Sequence, residues 1–491
     1  MSTTTSQTPA IKGTPVSYDH IEANTPASLI DAALEGTDYS PYWLQHPDRP
    51  AALPALEGSI TTDLLVVGGG YSGLWTALLA KEADPKRQVV LIESETIGWA
   101  ASGRNGGFCE ASLVHGESNG ETHLPKENAR LTQLGAENLA GIVETIEKYN
   151  IDCDLTKSGT LNVATEKYQS EWLQEEAAAH PGTHFMDADE VKTHINSPLF
   201  HGGIWEKETT VLVHPAKLAW GLRRVCLELG VQIFEHTKGE GLEATDAAIT
   251  VRTGAGTITA ARVALATNVF PSLLKRHRLH TIPVYDYALM TEPLTEEQRA
   301  AIGWDENMGL ADMNNRFHYS RPTIDENGGW RILFGGYDAV YHYGREVKPK
   351  YDHHQETYRK LAAHFVGTFP QLEGIKFSHA WGGAIDTCSR FFAFFDTSHG
   401  GRVAYCAGFT GLGVGATRFG ARVMLDLLSG TKTELTELEM VKKKPMPFPP
   451  EPVAWMGVKL MTNGLIKADR NEGKRGPFLK VMDAVGMGFD S

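Results

Sequence analysis

Apolar and polar positions follow two rhythms along the chain, and the switches between them lay out the elements. Leu64-Leu65-Val66-Val67 is an unbroken apolar run that stops at glycines, the pattern of a strand buried on both faces of a parallel sheet. Residues 73–83 read as a helix, and Val89-Val90-Leu91-Ile92-Glu93 as a second buried strand, so this stretch predicts a β-α-β unit of about 30 residues. Leu131, Leu134, Leu139, Ile142, Val143 and Ile146 recur at helical spacing within 126–149. Further helices are predicted over 28–34, 169–179, 215–229, 352–365 and 414–428. Strands are predicted over 231–234, 248–252, 257–259, 262–267 and 402–406, and residues 283–345 alternate in strand fashion with a turn at Asn327-Gly328-Gly329.

The 491 residues suggest two or three domains, at roughly 150 residues each. Residues 1–58 read as an extension, a strap with a frayed start. Sixty acids against 46 bases give a net charge of −14, which argues against a nucleic-acid partner. Five scattered cysteines with no CxxC pair exclude a disulfide scaffold and a structural zinc site, and no His/Asp/Glu spacing suggests a metal. His353-His354 cannot share a helix face. The start of the chain lacks the apolar core of a signal peptide, and no apolar run reaches the 18 or so residues of a membrane span. A cytoplasmic location is therefore expected. G-x-S-x-G and a P-loop are absent, which leaves hydrolase and kinase readings without support.

Gly68-Gly69-Gly70-Tyr71-Ser72-Gly73 satisfies G-x-G-x-x-G in the required setting, after a buried strand and at the opening of a helix. Glu93, with Ser94 beside it, follows 20 residues after Gly73 at the end of the next strand. Gly68 permits the tight turn, Gly70 lets backbone amides approach a pyrophosphate, and Gly73 lets helix and strand pack closely. The helix N-terminus at Tyr71 and Ser72 favours phosphate, and Glu93 can accept hydrogen bonds from ribose hydroxyls. The plain alternative is a glycine-rich turn without a ligand. A long loop of small and polar residues follows, with Ser102, Gly103, Arg104, Asn105, Gly106 and Gly107 offering a second pass along a cofactor. That separates the unit from a plain nicotinamide domain.

These motifs, with Glu93, resemble the D-amino-acid oxidase/glycine oxidase superfamily of FAD flavoproteins, and most nearly its γ-glutamylputrescine-oxidase-like amine oxidases. The likeness extends to Pro215-Ala216-Lys217-Leu218, Ala266-Thr267-Asn268, residues 283–294, Trp381-Gly382-Gly383, Gly408-Phe409-Thr410-Gly411-Leu412-Gly413-Val414 and the ending Gly486 to Ser491. It implies an α/β, Rossmann-like FAD-binding domain that is discontinuous (59–125, 205–280 and 375–430). It also implies a strand-rich α+β substrate domain (126–204 and 281–374) and a C-terminal strap (431–491). The activity implied is oxidation of a C–N bond. Hydride passes from the carbon beside a primary or secondary amine to flavin N5, the imine hydrolyses, and oxygen reoxidises the flavin to give hydrogen peroxide.

The resemblance also places Gly408, Gly411, Leu412, Gly413 and Val414 at the flavin, where the following helix N-terminus would stabilise reduced flavin. Two departures stand out: Asn268 where the family often has glycine, and Leu412 where histidine is common. No cysteine lies near Trp381, the place of the flavin-linked cysteine in sarcosine-oxidase relatives, so non-covalent FAD is expected.

Candidate substrate residues are Tyr319, Tyr337 and Trp381 as an aromatic pocket and Arg321 as an anchor for a substrate carboxylate. Their plain alternatives are sheet core for the aromatics and a surface position for Arg321. His115 could face the active site or be structural. The segment 441–491 carries nine Lys/Arg against five acids, with Trp455, Met456, Leu460 and Met461. It reads as a strap on the catalytic domain or on a second subunit of a homodimer, with a membrane- or quinone-docking surface as the other reading. Two alternatives to the oxidase stay open. One is a dehydrogenase passing electrons to a quinone or a partner protein. The other is a flavin-binding protein with little turnover.

Overall fold

A computed structural model describes residues 16–245, 247–484 and 486–487. Residues 1–15 and the last four of the chain-end motif, 488–491, lie outside the described residues. The predicted β-α-β unit forms the centre of the first sheet. Strands run in the order Phe394–Ser398, Val403–Ala407, Gly256–Leu265, Gly58–Val67, Val89–Ile92 and Gln232–Phe234. All pairings but the first are parallel, and the apolar runs Leu64–Val67, Val89–Ile92, Val263–Leu265 and Val403–Ala407 are buried on both faces. The short strands Ile249–Thr253 and Gly241–Ala244 extend this sheet from Gly256–Leu265.

Helix Tyr71–Ala83 packs between helices Gly413–Ser429 and Pro215–Glu228 on that sheet. Helix Asn128–Lys148 lies against Gly413–Ser429, and its Leu131, Leu134, Leu139, Ile142 and Ile146 enter the same core. It therefore belongs with the first sheet and not with the second unit, where the sequence reading grouped 126–204. An amphipathic stripe states that a helix is half-buried but not against what.

The second sheet runs Val340–Tyr341, Thr281–Thr291, Trp330–Gly336, His318–Ile324, Gly309–Asp312, Thr160–Ala164, Gly202–Glu206 and Phe185–Asp187. Strand Phe377–Cys388 pairs antiparallel with Thr281–Thr291 over its whole length. Residues 377–388 thus lie in the second sheet, although the sequence reading assigned 375–430 to the first unit. Gly202–Glu206 likewise carries residues 205–206 across. A separate two-stranded ribbon, Phe108–Glu110 with Thr210–Leu212, lies between the two halves. The fold class is the expected one, α/β of Rossmann type joined to an α+β unit.

Both chain ends clasp this body. Helix Ser17–Asn24, not predicted, packs on Gln355–Thr368, and the Tyr18 hydroxyl donates to Asp312 Oδ2 at 3.0 Å. Trp43 is fully buried beside Trp381. Helix Val453–Asp469 ends at Arg470, whose guanidinium pairs with Asp19 at 2.7 Å, so this helix meets Ser17–Asn24 near the other end of the chain. Among the described residues no helix is long and apolar enough to cross a membrane.

Candidate active site

The glycine turn works by leaving out side chains where the chain comes closest to itself. Gly68 has φ +115°, and a Cβ there would stand 2.4 Å from the Ala266 carbonyl oxygen. A Cβ at Gly73 would stand 1.9 Å from the Gly68 carbonyl oxygen, so only glycine lets the helix start this close to the strand. Gly70 caps the helix, and a side chain there would project toward Ser102 Oγ at 3.0 Å. The Tyr71 amide donates to Ser102 Oγ at 3.0 Å, which joins the long loop to the helix N-terminus. Glu93 is buried, accepts from the Gly69 amide at 2.7 Å and from Trp99 Nε1 at 2.9 Å, and faces the same space as Ser94.

That space is a single cavity of about 1590 Å³ running from the glycine turn to the second sheet. It exceeds the roughly 300–1,000 Å³ usual for one small ligand, so it has room for a dinucleotide and a second molecule. Thr267 Oγ1 and Asn268 Oδ1 are buried on its wall without a partner among the described residues. Buried polar atoms of this kind normally have partners, and a polar ligand would supply them. The departure at Asn268 is also conformational, since its φ is +50°, in a region asparagine tolerates.

The loop after Glu93 shapes the middle of the cavity. Asn105 closes it upon itself, donating to the Ala101 carbonyl at 2.9 Å and accepting from the Gly107 amide at 2.8 Å. Arg104 ties it to the second unit through Asp352 at 2.5 Å, and Trp381 Nε1 donates to the Arg104 carbonyl at 2.8 Å. Opposite lies the turn before helix Gly413–Ser429, where Gly411, Leu412, Gly413 and Val414 line the cavity and Leu412 is the residue preceding the helix. His115 also lines the cavity, with Nε2 2.5 Å from the Thr410 carbonyl oxygen. Burial holds its pKa below the ordinary histidine value.

Gly68, Gly70, Ser72, Glu93, Ser94, Ser102, Arg104, Asn105 and Gly106 share this cavity with Tyr319, Tyr337 and Trp381. Tyr71 borders it too, but its hydroxyl is committed to the Pro215 carbonyl at 2.7 Å. Gly73, Gly103, Gly107 and Gly408 do not line it. Each is a packing glycine; a Cβ on Gly103 would meet the Gly98 oxygen at 2.2 Å, and one on Gly408 the Cys388 side chain at 2.9 Å.

Arg321 is the clear correction. It is buried behind the wall, donates to the Val213 carbonyl at 2.7 Å, and does not reach the cavity, so it cannot receive a substrate carboxylate. It is not a surface residue either. Sequence spacing placed it one strand repeat from Tyr319, but the guanidinium turns back to backbone oxygens near Gly107 and Val213.

The sequence reading missed Asp286. It is half-buried on strand Thr281–Thr291, lines the cavity, and accepts the Tyr319 hydroxyl at 2.7 Å. Burial pushes its carboxyl up to about 6, against the opposing pull of the Tyr319 hydrogen bond. Asp386 is also raised to about 6 by burial, and it accepts the Gly408 amide at 2.6 Å, which braces the turn before the helix. Neither carboxylate sits in a recognisable motif, so only the sheet pairing reveals them.

A parallel sheet with a glycine-rich phosphate turn, an acidic residue at the next strand end and one long cavity defines a dinucleotide-dependent oxidoreductase. The chain belongs to the DAO family of FAD dependent oxidoreductases, whose family model matches residues 63–427. It is 30% identical to gamma-glutamylputrescine oxidoreductase of Escherichia coli (strain K12) over 425 residues, 83% of this chain and 93% of that protein. Its fold is similar to that of glycine oxidase from Geobacillus kaustophilus, at TM-score 0.61 and 18% identity, covering 76% of this chain and 96% of that one. It is similar to that of L-proline dehydrogenase from P. horikoshii, at TM-score 0.61 and 19% identity, covering 78% and 96%. The cofactor is FAD, and the cradle fits it. The helix amides with Ser102 would hold its pyrophosphate and Glu93 its ribose, and the orphaned Thr267 and Asn268 lie on the same wall.

Two substitutions separate cradle from scaffold. Gly70→Val puts a branched side chain where the pyrophosphate must meet the helix N-terminus. The purified variant should carry no flavin absorbance, and added FAD should not raise its melting temperature as it does for the parent. A yellow Gly70→Val protein with full flavin content would move the phosphate site elsewhere. Arg321→Met removes the Arg321 donor from the buried Val213 carbonyl, at a cost of about 1–3 kcal/mol, while the Gly107 carbonyl keeps the Val213 amide. It should lower the melting temperature and leave KM for an acidic substrate unaltered, whereas a steep rise in KM alone would restore Arg321 to the pocket.

Proposed function

We propose that this protein is an amine oxidase in the strict sense, acting on a primary or secondary amine with oxygen as the electron acceptor. The observation that carries the reading is the junction of the FAD cradle with a wall made of Tyr319, Trp381, Tyr337 and the raised carboxyl of Asp286. The name of the Escherichia coli relative supports an amine as substrate. Bound FAD supplies the two-electron acceptor for hydride from the carbon beside nitrogen, and oxygen takes those electrons to give hydrogen peroxide as the imine hydrolyses.

The chain's own groups prepare the amine. An aliphatic ammonium with a pKa of about 10 is charged at neutral pH and cannot give up hydride until it loses a proton. Aromatic walls disfavour the charged form. Asp286, reached through the Tyr319 hydroxyl, is the group placed to take the proton. Trp381 is locked by its bond to the Arg104 carbonyl, so its ring holds the substrate against the loop that borders the flavin site. Non-covalent FAD is part of this reading. Cys388 is buried away from the cavity, and Cys406, which borders it, has a thiol pushed up by burial to about 12.

The reading is tested by an anaerobic amine screen on the yellow holoenzyme. The right amine should bleach the flavin, and air should restore the colour with one peroxide per turnover. Bleaching without peroxide would mean a dehydrogenase with another acceptor, and no bleaching by any amine would overturn the proposal. Acid precipitation should leave the flavin in the supernatant.

A second outcome concerns pH. The Tyr319 hydroxyl favours the ionised form of Asp286, and Tyr319→Phe removes that donor. The Asp286 pKa should then rise above about 6. The acid limb of kcat/KM, which reports the free enzyme, should move to higher pH by the same amount. An unmoved limb would detach this pair from turnover.

A further inference from the structure

Two carboxylates open onto the substrate end of the cavity with no cation against them among the described residues. Glu110 and Glu206 both line it, and neither forms an ion pair among the described residues. Ribbon strand Phe108–Glu110 turns Cys109 into the first core and Phe108 and Glu110 into the cavity. Phe108 meets the Tyr319 ring at 5.9 Å between centroids, and the Glu110 main-chain carbonyl packs against Gly415 in the first turn of helix Gly413–Ser429. Glu110 therefore stands between the aromatic wall and the turn at Gly411–Val414. Burial pushes its carboxyl up to about 7, and the charge of Glu206 adds to the rise. Glu206 is exposed at the rim of the cavity, and its carboxyl is raised in the same direction.

A second observation points to a missing ligand at the same place. Thr160 lies directly opposite Glu206 in the sheet, is 7% exposed, and its Oγ1 is buried with no partner among the described residues. Its neighbours Leu161 and Val163 point into the second core, so Thr160 and Asn162 face the cavity. Asn162 Nδ2 donates to Glu206 Oε2 at 3.1 Å and fixes that carboxylate in the wall. The site thus offers two anionic acceptors and one idle hydroxyl, the acceptor set an ammonium needs.

We propose that Glu110 and Glu206, with Thr160 and Asn162, form a subsite for an ammonium that the substrate carries away from its reacting carbon. The inference rests on the amine-oxidase reading and names the substrate class within it: an amine with a second cationic nitrogen. The strands of Tyr319 and Glu206 are three hydrogen-bonded steps apart in the second sheet, roughly 14 Å at about 4.8 Å per step. Allowing about 2.8 Å of hydrogen-bond contact at each end leaves about 9 Å between nitrogens. At about 3.5 Å per three extended bonds this is roughly eight bonds, a span that an eight-carbon α,ω-diamine covers with slack.

The test measures binding by calorimetry on the anaerobic FAD holoenzyme, with the eight-carbon α,ω-diamine and with octylamine. The parent should prefer the diamine by about tenfold or more, the range for hydrogen bonds to a charged group. The double variant Glu110→Gln, Glu206→Gln should lose that preference while keeping its flavin absorbance. Where the double variant sheds flavin, Glu206→Gln alone carries the comparison and should cut the preference at least threefold. Equal binding of the two amines by the parent, or a preference that survives the substitutions, overturns the subsite. Flavin bleaching is scored separately. Octylamine oxidised without a diamine preference sinks the subsite and leaves the oxidase. Diamine preference with no amine ever bleaching the flavin keeps the subsite and sinks the oxidase.

Discussion

The contact on which the rest depends is the approach of helix Tyr71–Ala83 to the end of strand Gly58–Val67. A Cβ on Gly73 would lie 1.9 Å from the Gly68 oxygen, and one on Gly68 would lie 2.4 Å from the Ala266 oxygen. Three backbone segments are thereby held closer than any side chain allows. The consequence is electrical as well as steric. Close packing brings the helix N-terminus, equivalent to about half a positive charge, to the edge of the sheet, where it would favour the phosphates of a dinucleotide. The same packing sets where Ala266–Asn268 begins to line the cavity, because its strand pairs in register with Gly58–Val67 from Gly58 to Val67.

From that point the cavity is built by ties between sheets that sequence distance hides. Loop residue Arg104 holds Asp352 of the second unit, and Trp381 holds the Arg104 carbonyl, so the flavin loop and the aromatic wall are one hydrogen-bonded object. The long ladder between Thr281–Thr291 and Phe377–Cys388 carries both cavity aspartates, Asp286 and Asp386, on strands of the second sheet. Asp386 then reaches back to the Gly408 amide and fixes the turn that opens helix Gly413–Ser429. Asp386 is thus a further tie between the second sheet and the turn before that helix.

What was legible in the sequence was local. The fingerprint, Glu93, the glycine-rich loop and the turn at Gly411–Val414 announce themselves because phosphate and flavin binding need particular residues at fixed spacing, and all of these reach the cavity or its support. What was not legible depended on partners far along the chain. The stripe on helix Asn128–Lys148 would look the same against either core, and its docking on Gly413–Ser429 is a tertiary choice. Arg321 shares a strand with Tyr319, yet two residues further on it satisfies backbone carbonyls instead of a substrate. Asp286, Glu110 and Glu206 carry no motif. Their interest comes from their place on the cavity wall and from forming no ion pair among the described residues, which a sequence does not record.

The chain ends bear on the electrostatics of the site. Residues such as Val458, Ile466 and Met482, from helices Val453–Asp469 and Pro477–Ala484, form a roof on the cavity. That roof is anchored through Arg470 to Asp19 and through Asp469, which accepts the Asn315 amide at 3.0 Å. The carboxyls beneath it are raised because water is kept from them. Leu412 adds no charge where the helix begins, so the amides of Gly413–Ser429 provide the positive end there, an effect of about 0.3–1 kcal/mol when exposed and more when dry. Dryness is therefore the common requirement. It makes the helix dipole count, it lifts Asp286 toward neutrality, and it favours the uncharged amine. A strap that loosened would weaken all three together, which is a physical reason for a catalytic body to be clasped by both ends of its own chain.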